Sequence, residues 1–344
     1  MATNNTDLQV AVKTITSQLN HNITRPWTIM EVCGGQTHSI MYSGLQQLLP
    51  NEIELLHGPG CPVCVTSLEL IDKAITLACM PEITLITYGD MLRVPGSSMD
   101  LFNARAQGGS VIPVYSPLQA VRFAKENPTR QVVFFAIGFE TTAPANLAAL
   151  QHAIRLGISN FALLVSQVRV PPALELILNS RGQRVNAFLA AGHVCAIMGY
   201  QEYELIAQKY HTPIAVTGFD PLDILLGIQV VIQMLEKQEH SVKNAYPRVV
   251  TRKGNLTAQS LINHYYEICD QQWRGIGLIP QSGWKLKSEF EVYDAEKKFD
   301  LGEIKSHESK LCLSGQVLQG LIKPIECPAF GNDCTPQTPL GATM

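Results

Sequence analysis

The stretch Trp27-Thr-Ile-Met-Glu-Val-Cys-Gly-Gly-Gln-Thr-His-Ser39 gives the clearest indication of the fold class. Its apolar first half predicts a buried strand, and the two glycines and polar residues that follow predict a turn leading into a helix. A strand, a glycine turn and a helix in this order are typical of open α/β sheets, which bind their ligands at the carboxyl ends of the strands. We therefore expect Cys33 to lie where chemistry can occur.

Other apolar runs also stop at small and polar residues, and helical stretches separate them. These runs are residues 82–88, 110–115, 131–137, 161–165, 186–191 and 213–216. Strands that alternate with helices of this length predict parallel βαβ sheets. The fold class is therefore α/β, with two related parallel-sheet domains expected at 28–122 and 123–228.

The two ends of the chain differ from this pattern. Residues 6–20 predict an amphipathic helix within an N-terminal segment, 1–27, which we expect to pack on the C-terminal domain. An apolar helical run continues past residue 229 into a more charged and aromatic region, so 229–344 is predicted to be a smaller third domain. Its tail carries Cys312, Cys327 and Cys334 in a loop-rich segment, and such segments pack poorly unless a metal site or another cross-link holds them together.

A second conspicuous stretch, His57-Gly-Pro-Gly-Cys-Pro-Val-Cys-Val-Thr66, holds Cys61 and Cys64 two residues apart. Such a pair can close a disulfide, hold a soft metal, or do both in turn. Thr66 and Glu69 have the spacing of a capping box, so a helix is expected just after the pair, where its dipole favours the thiolate. Two buried cysteines at an incidental spacing are the alternative.

Several further side chains are candidates for chemistry. Cys33 and His38 suit a nucleophile with its base, or two ligands of divalent iron, and core packing is the alternative. Glu140 follows an apolar strand and is counted as a candidate catalytic residue, although such residues often cap the next helix. Other polar residues at strand ends are Asp90, His193 and Asp220. Cys79, Cys195 and Cys269 are expected to be small buried hydrophobic residues.

The tail cysteines are a partial metal site, because zinc and iron–sulfur centres usually take four protein ligands. Cys269 or His307 is a possible fourth ligand, or the chain stops short of it. Three unlinked cysteines in an irregular tail are the alternative.

Composition narrows the function classes. The 344 residues suffice for two or three domains, and 46% hydrophobic with 16% charged residues is ordinary for a packed globular protein. A formal net charge of −3 gives no indication of a basic surface that binds nucleic acid. No apolar run reaches bilayer length, and the N-terminus lacks signal-peptide features, so we expect a cytoplasmic protein without a membrane partner. In that reducing compartment, nine cysteines favour metal or redox chemistry over structural disulfides.

Five features in order resemble one family. They are Cys33-Gly-Gly-Gln-Thr-His-Ser39, Gly58-Pro-Gly-Cys-Pro-Val-Cys64, Gly138-Phe-Glu-Thr-Thr142, Gly192-His-Val-Cys195 and the cysteines of the tail. Together they resemble the HypD family of hydrogenase maturation factors, from about residue 28 to the end. The resemblance implies two Rossmann- or thioredoxin-like domains and a C-terminal domain with a [4Fe-4S] cluster.

The resemblance also implies a role. With a HypC-type chaperone, the family is an iron-binding scaffold with redox activity. It holds an iron ion while HypE, supplied by HypF, delivers cyanide and a carbonyl is attached, and the Fe(CN)2CO unit then passes to the large subunit of [NiFe]-hydrogenase. By resemblance Cys33 binds the iron with His38 beside it, Cys61 and Cys64 are the redox pair, and Cys312, Cys327 and Cys334 bind the cluster. A dithiol gathers two electrons and a cluster passes them singly, which suits reductive ligand attachment.

One departure from the family pattern concerns the cluster. The family has a fourth cluster cysteine beyond the position of Met344, so we expect a truncated tail, with another ligand or a labile cluster as alternatives. Two competing functions explain parts of the sequence. A thioredoxin-like thiol–disulfide oxidoreductase linked to an iron–sulfur cluster would use Cys61 and Cys64, and a zinc-stapled docking protein would use the tail.

Overall fold

The computed structural model describes residues 5–341, which form two compact units, each built around its own β-sheet. Unit 1 combines the chain up to Cys61 with Ala173–Leu256 and Val317–Lys323. Unit 2 combines Pro62–Pro172, Thr257–Gln316 and the chain from Pro324 onward.

The strands are β1 (Trp27–Glu31), β2 (Ile53–His57), β3 (Ile83–Tyr88), β4 (Val111–Val114), β5 (Gln131–Gly138), β6 (Phe161–Val168), β7 (Ala187–Ala191), β8 (Ile214–Thr217), β9 (Val242–Asn244), β10 (Tyr266–Trp273) and β11 (Gly277–Leu286). The α-helices are α1 (Asn5–Asn22), α2 (Gly34–Ser43), α3 (Pro62–Val65), α4 (Leu68–Cys79), α5 (Leu101–Ala106), α6 (Pro117–Glu126), α7 (Ala143–Arg155), α8 (Val170–Asn179), α9 (Gly192–Met198), α10 (Gln201–Tyr210), α11 (Pro221–Glu236), α12 (Leu256–Tyr265), α13 (Ala295–Lys298) and α14 (Ser314–Leu318). Short 3-10 helices span Leu45–Leu48, Gly89–Arg93, Ser288–Tyr293 and Pro324–Glu326.

The sheet of unit 1 has the strand order β2-β1-β7-β8-β9, and every neighbouring pair is parallel. β7 is buried along its whole length, as expected for a parallel strand whose two faces are both covered. Ile15 and Leu19 of α1 join the apolar core with Ile224, Ile228 and Ile232 of α11. The predicted N-terminal helix is confirmed, and it packs on α11 of unit 1, whose residues from 229 onward belong to the segment that was expected to form the C-terminal domain.

The sheet of unit 2 has the order β10-β11-β6-β5-β3-β4. The strands β6, β5, β3 and β4 are parallel, whereas β10 and β11 form an antiparallel edge. Every residue of β6 is buried, and so is β5 after its first residue. The α/β fold class with two mostly parallel sheets is therefore confirmed.

The two units are built from other parts of the chain than the domains expected at 28–122, 123–228 and 229–344. β1 and β2 share a sheet with β7 and β8, while β3 and β4 share one with β5 and β6. Residues expected in a third domain add β9 to unit 1 and β10–β11 to unit 2. The apolar runs mark where strands are, but pairing in a parallel sheet does not follow chain order, so the partners were not readable from the runs.

Among the described residues, no helix combines the length and the apolar character needed to cross a bilayer.

Replacement of Leu189 tests the core of unit 1. Leu189 lies in β7 with 0% of its surface exposed, whereas Leu205 on α10 is 68% exposed. We expect Leu189→Ala to lower the free energy of unfolding by about 3 kcal/mol through lost burial and the cavity left behind. The control Leu205→Ala should lower it by less than about 0.5 kcal/mol. Urea unfolding measures both, and equal losses would contradict the burial of β7.

Candidate functional site

Cys33 lies just beyond the carboxyl end of β1 and is the N-cap residue of α2. Its backbone is extended, and its carbonyl accepts the N–H groups of Gln36 at 2.9 Å and Thr37 at 3.0 Å, which starts the helix. The residue is only 4% exposed. The strand, turn and helix read from the sequence therefore place the thiol at a strand end, as expected.

The ring that faces Cys33 within the described chain belongs to His193. The Sγ atom lies 3.8 Å from Nε2 and 3.9 Å from Nδ1 of His193. His193 is the second residue of α9, which begins directly after β7. Because β1 and β7 are parallel neighbours, their carboxyl ends meet at one edge and bring the two side chains together.

Phe219, beyond the end of β8, covers this pair. Its ring stacks on His193 with 4.8 Å between the ring centroids. It also borders the start of α2, since a Cβ atom at Gly35 would lie 3.2 Å from Phe219 Cδ1. Three neighbouring strand ends thus supply a thiol, an imidazole and an apolar cover.

Burial determines which protonation states Cys33 and His193 have at neutral pH. Burial raises the pKa of the Cys33 thiol to about 11, against the opposing effect of the N–H groups of Gln36 and Gly35 and with help from the charges of Glu31 and Cys61. Burial lowers the pKa of the His193 imidazole to about 4. At neutral pH a neutral thiol therefore faces a neutral imidazole. A cation that contacts Sγ favours the thiolate and displaces its proton.

The Cys61 loop, which we define as His57–Cys61, approaches the Cys33 backbone very closely. Gly34 donates its N–H to the carbonyl of Gly60 at 2.9 Å. A Cβ atom at Gly60 would lie 2.3 Å from both N and Cα of Cys33, so this position requires glycine. Gly60 thus allows the Cys61 loop to contact the backbone of Cys33 directly.

The two cysteines of the Cys-x-x-Cys pair are half-buried around the start of α3, Cys61 just before it and Cys64 within it. The predicted capping box is wrong. Ser67, not Thr66, caps the longer helix α4 by accepting the Leu70 N–H at 3.3 Å. The Thr66 hydroxyl instead donates to the Pro62 carbonyl at 2.8 Å, and its backbone bridges to Trp273, so the chain is interrupted between α3 and α4.

His38 and Glu140 lie elsewhere. His38 is exposed on α2 and stacks on Tyr42 with centroids 5.7 Å apart, so it does not take the place beside Cys33 that the prediction gave it. Glu140 belongs to unit 2, is 1% exposed, and accepts the Val170 N–H at 2.9 Å. The sequence had marked His193 as a polar strand end, but its partnership with Cys33 spans 160 residues of chain and had no local signal.

The tail cysteines Cys312, Cys327 and Cys334 are half-buried in unit 2. The Leu340 N–H lies 3.5 Å from Cys334 Sγ, and a Cβ atom at Gly341 would lie 2.5 Å from Cys312 Sγ. Two of the thiols therefore border the same short segment. Across residues 5–341, no three His, Cys, Asp or Glu side chains are arranged to hold a single metal ion.

Comparison with known proteins identifies the family. A family model named HypD and described as "Hydrogenase formation hypA family" matches residues 8–344. This chain belongs to the HypD family. The HypD hydrogenase maturation factor of Escherichia coli strain K12 is 43% identical over 329 residues, covering 95% of this chain and 88% of that protein. HypD of Rhodobacter capsulatus is 39% identical over 342 residues, covering 98% and 91%, and HypD2 of Bradyrhizobium diazoefficiens is 42% identical over 328 residues, covering 93% and 86%.

In this HypD-family chain the spacing of Cys33 and His193 suits two ligands of one ion. Ordinary metal–sulfur and metal–nitrogen bonds at a tetrahedral angle put the two donor atoms roughly 3.6 Å apart. The distance from Sγ to Nε2 is 3.8 Å. A thiolate and a neutral imidazole are both ligands that iron accepts.

The depressed pKa of His193 gives a pH test. In the metal-free chain the imidazole has a pKa of about 4 when folded and near 6.5 when unfolded. As the pH falls between these values, the imidazole becomes protonated in the unfolded state but stays neutral in the folded state, so the free energy of unfolding decreases. Between pH 7 and 4 the wild type should lose up to about 3 kcal/mol more stability than His193→Gln. Urea unfolding over this range measures the difference, and parallel curves would contradict it.

Proposed function

We propose that this chain is the scaffold on which the Fe(CN)2CO unit of [NiFe]-hydrogenase is assembled, acting with a HypC-type chaperone. The observation that carries the proposal is the buried Cys33 thiol held 3.8 Å from a ring nitrogen of His193 at the strand ends of unit 1. Membership of the HypD family, whose relatives are named hydrogenase maturation factors, supports it independently.

The chemistry of Cys33 suits this cargo. Low-spin iron that carries cyanide and carbonyl is soft, and thiolate is a soft ligand. Because burial keeps the thiol protonated at neutral pH, with a pKa of about 11, iron must displace the proton to bind. Iron capture at this site is therefore coupled to proton release, and the empty site resists attack by other electrophiles because thiols react as thiolates.

His193 is proposed as the second contact of the iron. Its ring is neutral at physiological pH, so a nitrogen lone pair is available to the metal. The stacked ring of Phe219 fixes the plane of the imidazole and excludes water from one side. The predicted roles of His38 and Glu140 stay predictions. His38 lies on an exposed part of α2, where a partner protein can reach it.

Cys61 and Cys64 are proposed as the redox-active dithiol, supported by their spacing and by their half-buried positions. Cys312, Cys327 and Cys334 are proposed ligands of a [4Fe-4S] cluster, supported by their loop setting and by the N–H group directed at Cys334. Binding of a cluster would stabilise this loop-rich segment, because metal binding and folding are coupled in such segments. When bound, the cluster supplies single electrons.

The proposed partners follow from the cargo. HypE, with HypF upstream, is the proposed cyanide donor, and the large subunit of [NiFe]-hydrogenase receives the finished unit indirectly. The proposed compartment is the cytoplasm, whose reducing conditions keep thiols available for iron.

Infrared spectroscopy tests the proposal. The chain is purified anaerobically with its HypC-type partner, and the cyanide and carbonyl stretching region is recorded. We expect bands in the wild type that disappear in Cys33→Ala, because the iron loses its anchoring thiolate. Cys79→Ala is the matched control, since Cys79 is exposed at the end of α4, and it should keep the bands.

Bands that persist in Cys33→Ala would contradict the role of Cys33. A brown wild-type protein without any bands would instead favour the alternative function, a thioredoxin-like thiol–disulfide oxidoreductase linked to an iron–sulfur cluster.

A further inference from the structure

Glu31, the last residue of β1, carries a fully buried carboxylate at 0% exposure. One oxygen accepts the Cys33 N–H at 2.8 Å. The other accepts the hydroxyl of Thr37 and meets Nδ1 of His57 at 2.7 Å. An ionised carboxylate only accepts hydrogen bonds, so the His57 tautomer that bonds to it is the one with its hydrogen on Nδ1. The donors come from the start of α2 and from the end of β2.

Two main-chain hydrogen bonds join the same two segments, and Glu31 accepts one of them. Its carbonyl accepts the Gly58 N–H at 2.8 Å. Two residues further along, the Gly60 carbonyl accepts the Gly34 N–H at 2.9 Å. Glu31 thus bonds through its side chain to the Cys33 loop, defined here as Val32–Thr37, and through both its side chain and its backbone to the Cys61 loop.

A carboxylate is an unusual residue for this position. Parallel strands covered on both faces are normally apolar, and Glu is almost never fully buried unless it is paired. Burial of an ionised carboxylate is costly unless hydrogen bonds satisfy it, and here three donors do so. An apolar residue would fill the strand end, but it could not hold these donors.

We propose that Glu31 is a positioning residue that fixes the Cys33 loop and the Cys61 loop in one arrangement, so that Cys33 and Cys61 are presented together. It acts through its hydrogen bonds and does not itself contact the iron. The inference rests on the proposed function only in taking Cys33 and Cys61 as the reacting thiols.

Glu31→Gln is the decisive variant because it keeps the size and shape of the side chain. Its amide has one oxygen that accepts and one NH2 group that only donates. Turned one way, the NH2 group faces the Cys33 N–H, which then has no acceptor. Turned the other way, it faces the Thr37 hydroxyl and Nδ1 of His57, which stay bonded only if they become acceptors. In both orientations the charge that strengthens these hydrogen bonds is lost, so the loops are held together less tightly.

The experiment measures thiol alkylation in the full-length, reduced, metal-free chain. Iodoacetamide is added in timed pulses, and mass spectrometry reads each cysteine peptide. In Glu31→Gln we expect Cys33 and Cys61 both to react about tenfold faster or more, the factor that corresponds to a lost hydrogen bond to a charged group. Cys79, exposed in unit 2, should react at the wild-type rate.

Glu54→Gln is the matched control. Glu54 lies on β2 in the same sheet, is partly exposed, and pairs with Arg184 and Lys323 instead of with either loop. It removes an ion-paired carboxylate from the strand that carries His57 and should leave both alkylation rates unchanged. This control separates positioning of the loops from a general loss of stability in unit 1.

Acceleration of Cys33 alone, or of Cys79 as well, would overturn the proposal. If Glu31→Gln does not fold, His57→Leu replaces it, because leucine cannot donate to the Glu31 carboxylate and the His57 side chain is 27% exposed. It should accelerate Cys61 together with Cys33, and wild-type rates at both would overturn the proposal. Alkylation needs neither iron nor a partner protein, so its outcome is independent of the infrared test of the proposed function.

Discussion

The parallel pairing of β1 with β7 is the constraint on which the site depends. Their register places Ile29 opposite Ala187 and Glu31 opposite Leu189, so both strands end at the same edge of the unit 1 sheet. Cys33 and His193 each follow their strand by two residues, although 160 residues of chain separate them. A slip of this register would separate the thiol from the imidazole.

Burial gives this pair its chemical character. The same desolvation that raises the pKa of Cys33 lowers the pKa of His193, so neither group carries charge at neutral pH. A neutral thiol and a neutral imidazole under an aromatic cover form a site with little nucleophilic reactivity at neutral pH. It becomes reactive when a cation stabilises the thiolate, which agrees with a scaffold that holds a metal cargo.

Backbone geometry ties the Cys61 loop to this site. Gly60 lies so close to Cys33 that a methyl group would collide with its N and Cα atoms, and Glu31 bonds to both loops. The Cys33 loop and the Cys61 loop of unit 1 are therefore parts of one structure. Their separation in sequence, with α2 between them, conceals this.

The sequence predicted what depends on local pattern. Apolar runs located β1, β3–β8 and α1 to within a few residues. It did not predict which strands share a sheet, because pairing is decided by long-range packing. β10 was missed because most of its residues are exposed or half-buried, which leaves no clear apolar run.

The candidate site was predicted only in part, because sequence patterns are local and its residues come from distant parts of the chain. Cys33 was found because a strand and a glycine turn mark it locally. His38 was chosen as its neighbour from sequence distance, but a helix beginning at Gly34 carries His38 to an exposed position, while His193 arrives from another strand. Adjacent Thr66 and Ser67 are both good N-caps, and only the bridge from Thr66 to Trp273 decides between them.

X-ray absorption at the iron edge tests whether Cys33 is the ligand that anchors the iron. The anaerobic complex with the HypC-type partner is measured with and without Cys33→Ala, in a chain that also carries Cys312→Ser, Cys327→Ser and Cys334→Ser so that no cluster iron contributes, and the fine structure is normalised to bound iron. We expect a first shell that contains sulfur beside lighter atoms when Cys33 is present, and loss of the sulfur scatterer, or of the iron itself, in Cys33→Ala. Iron that remains bound with an unchanged sulfur shell would contradict Cys33 as its anchor.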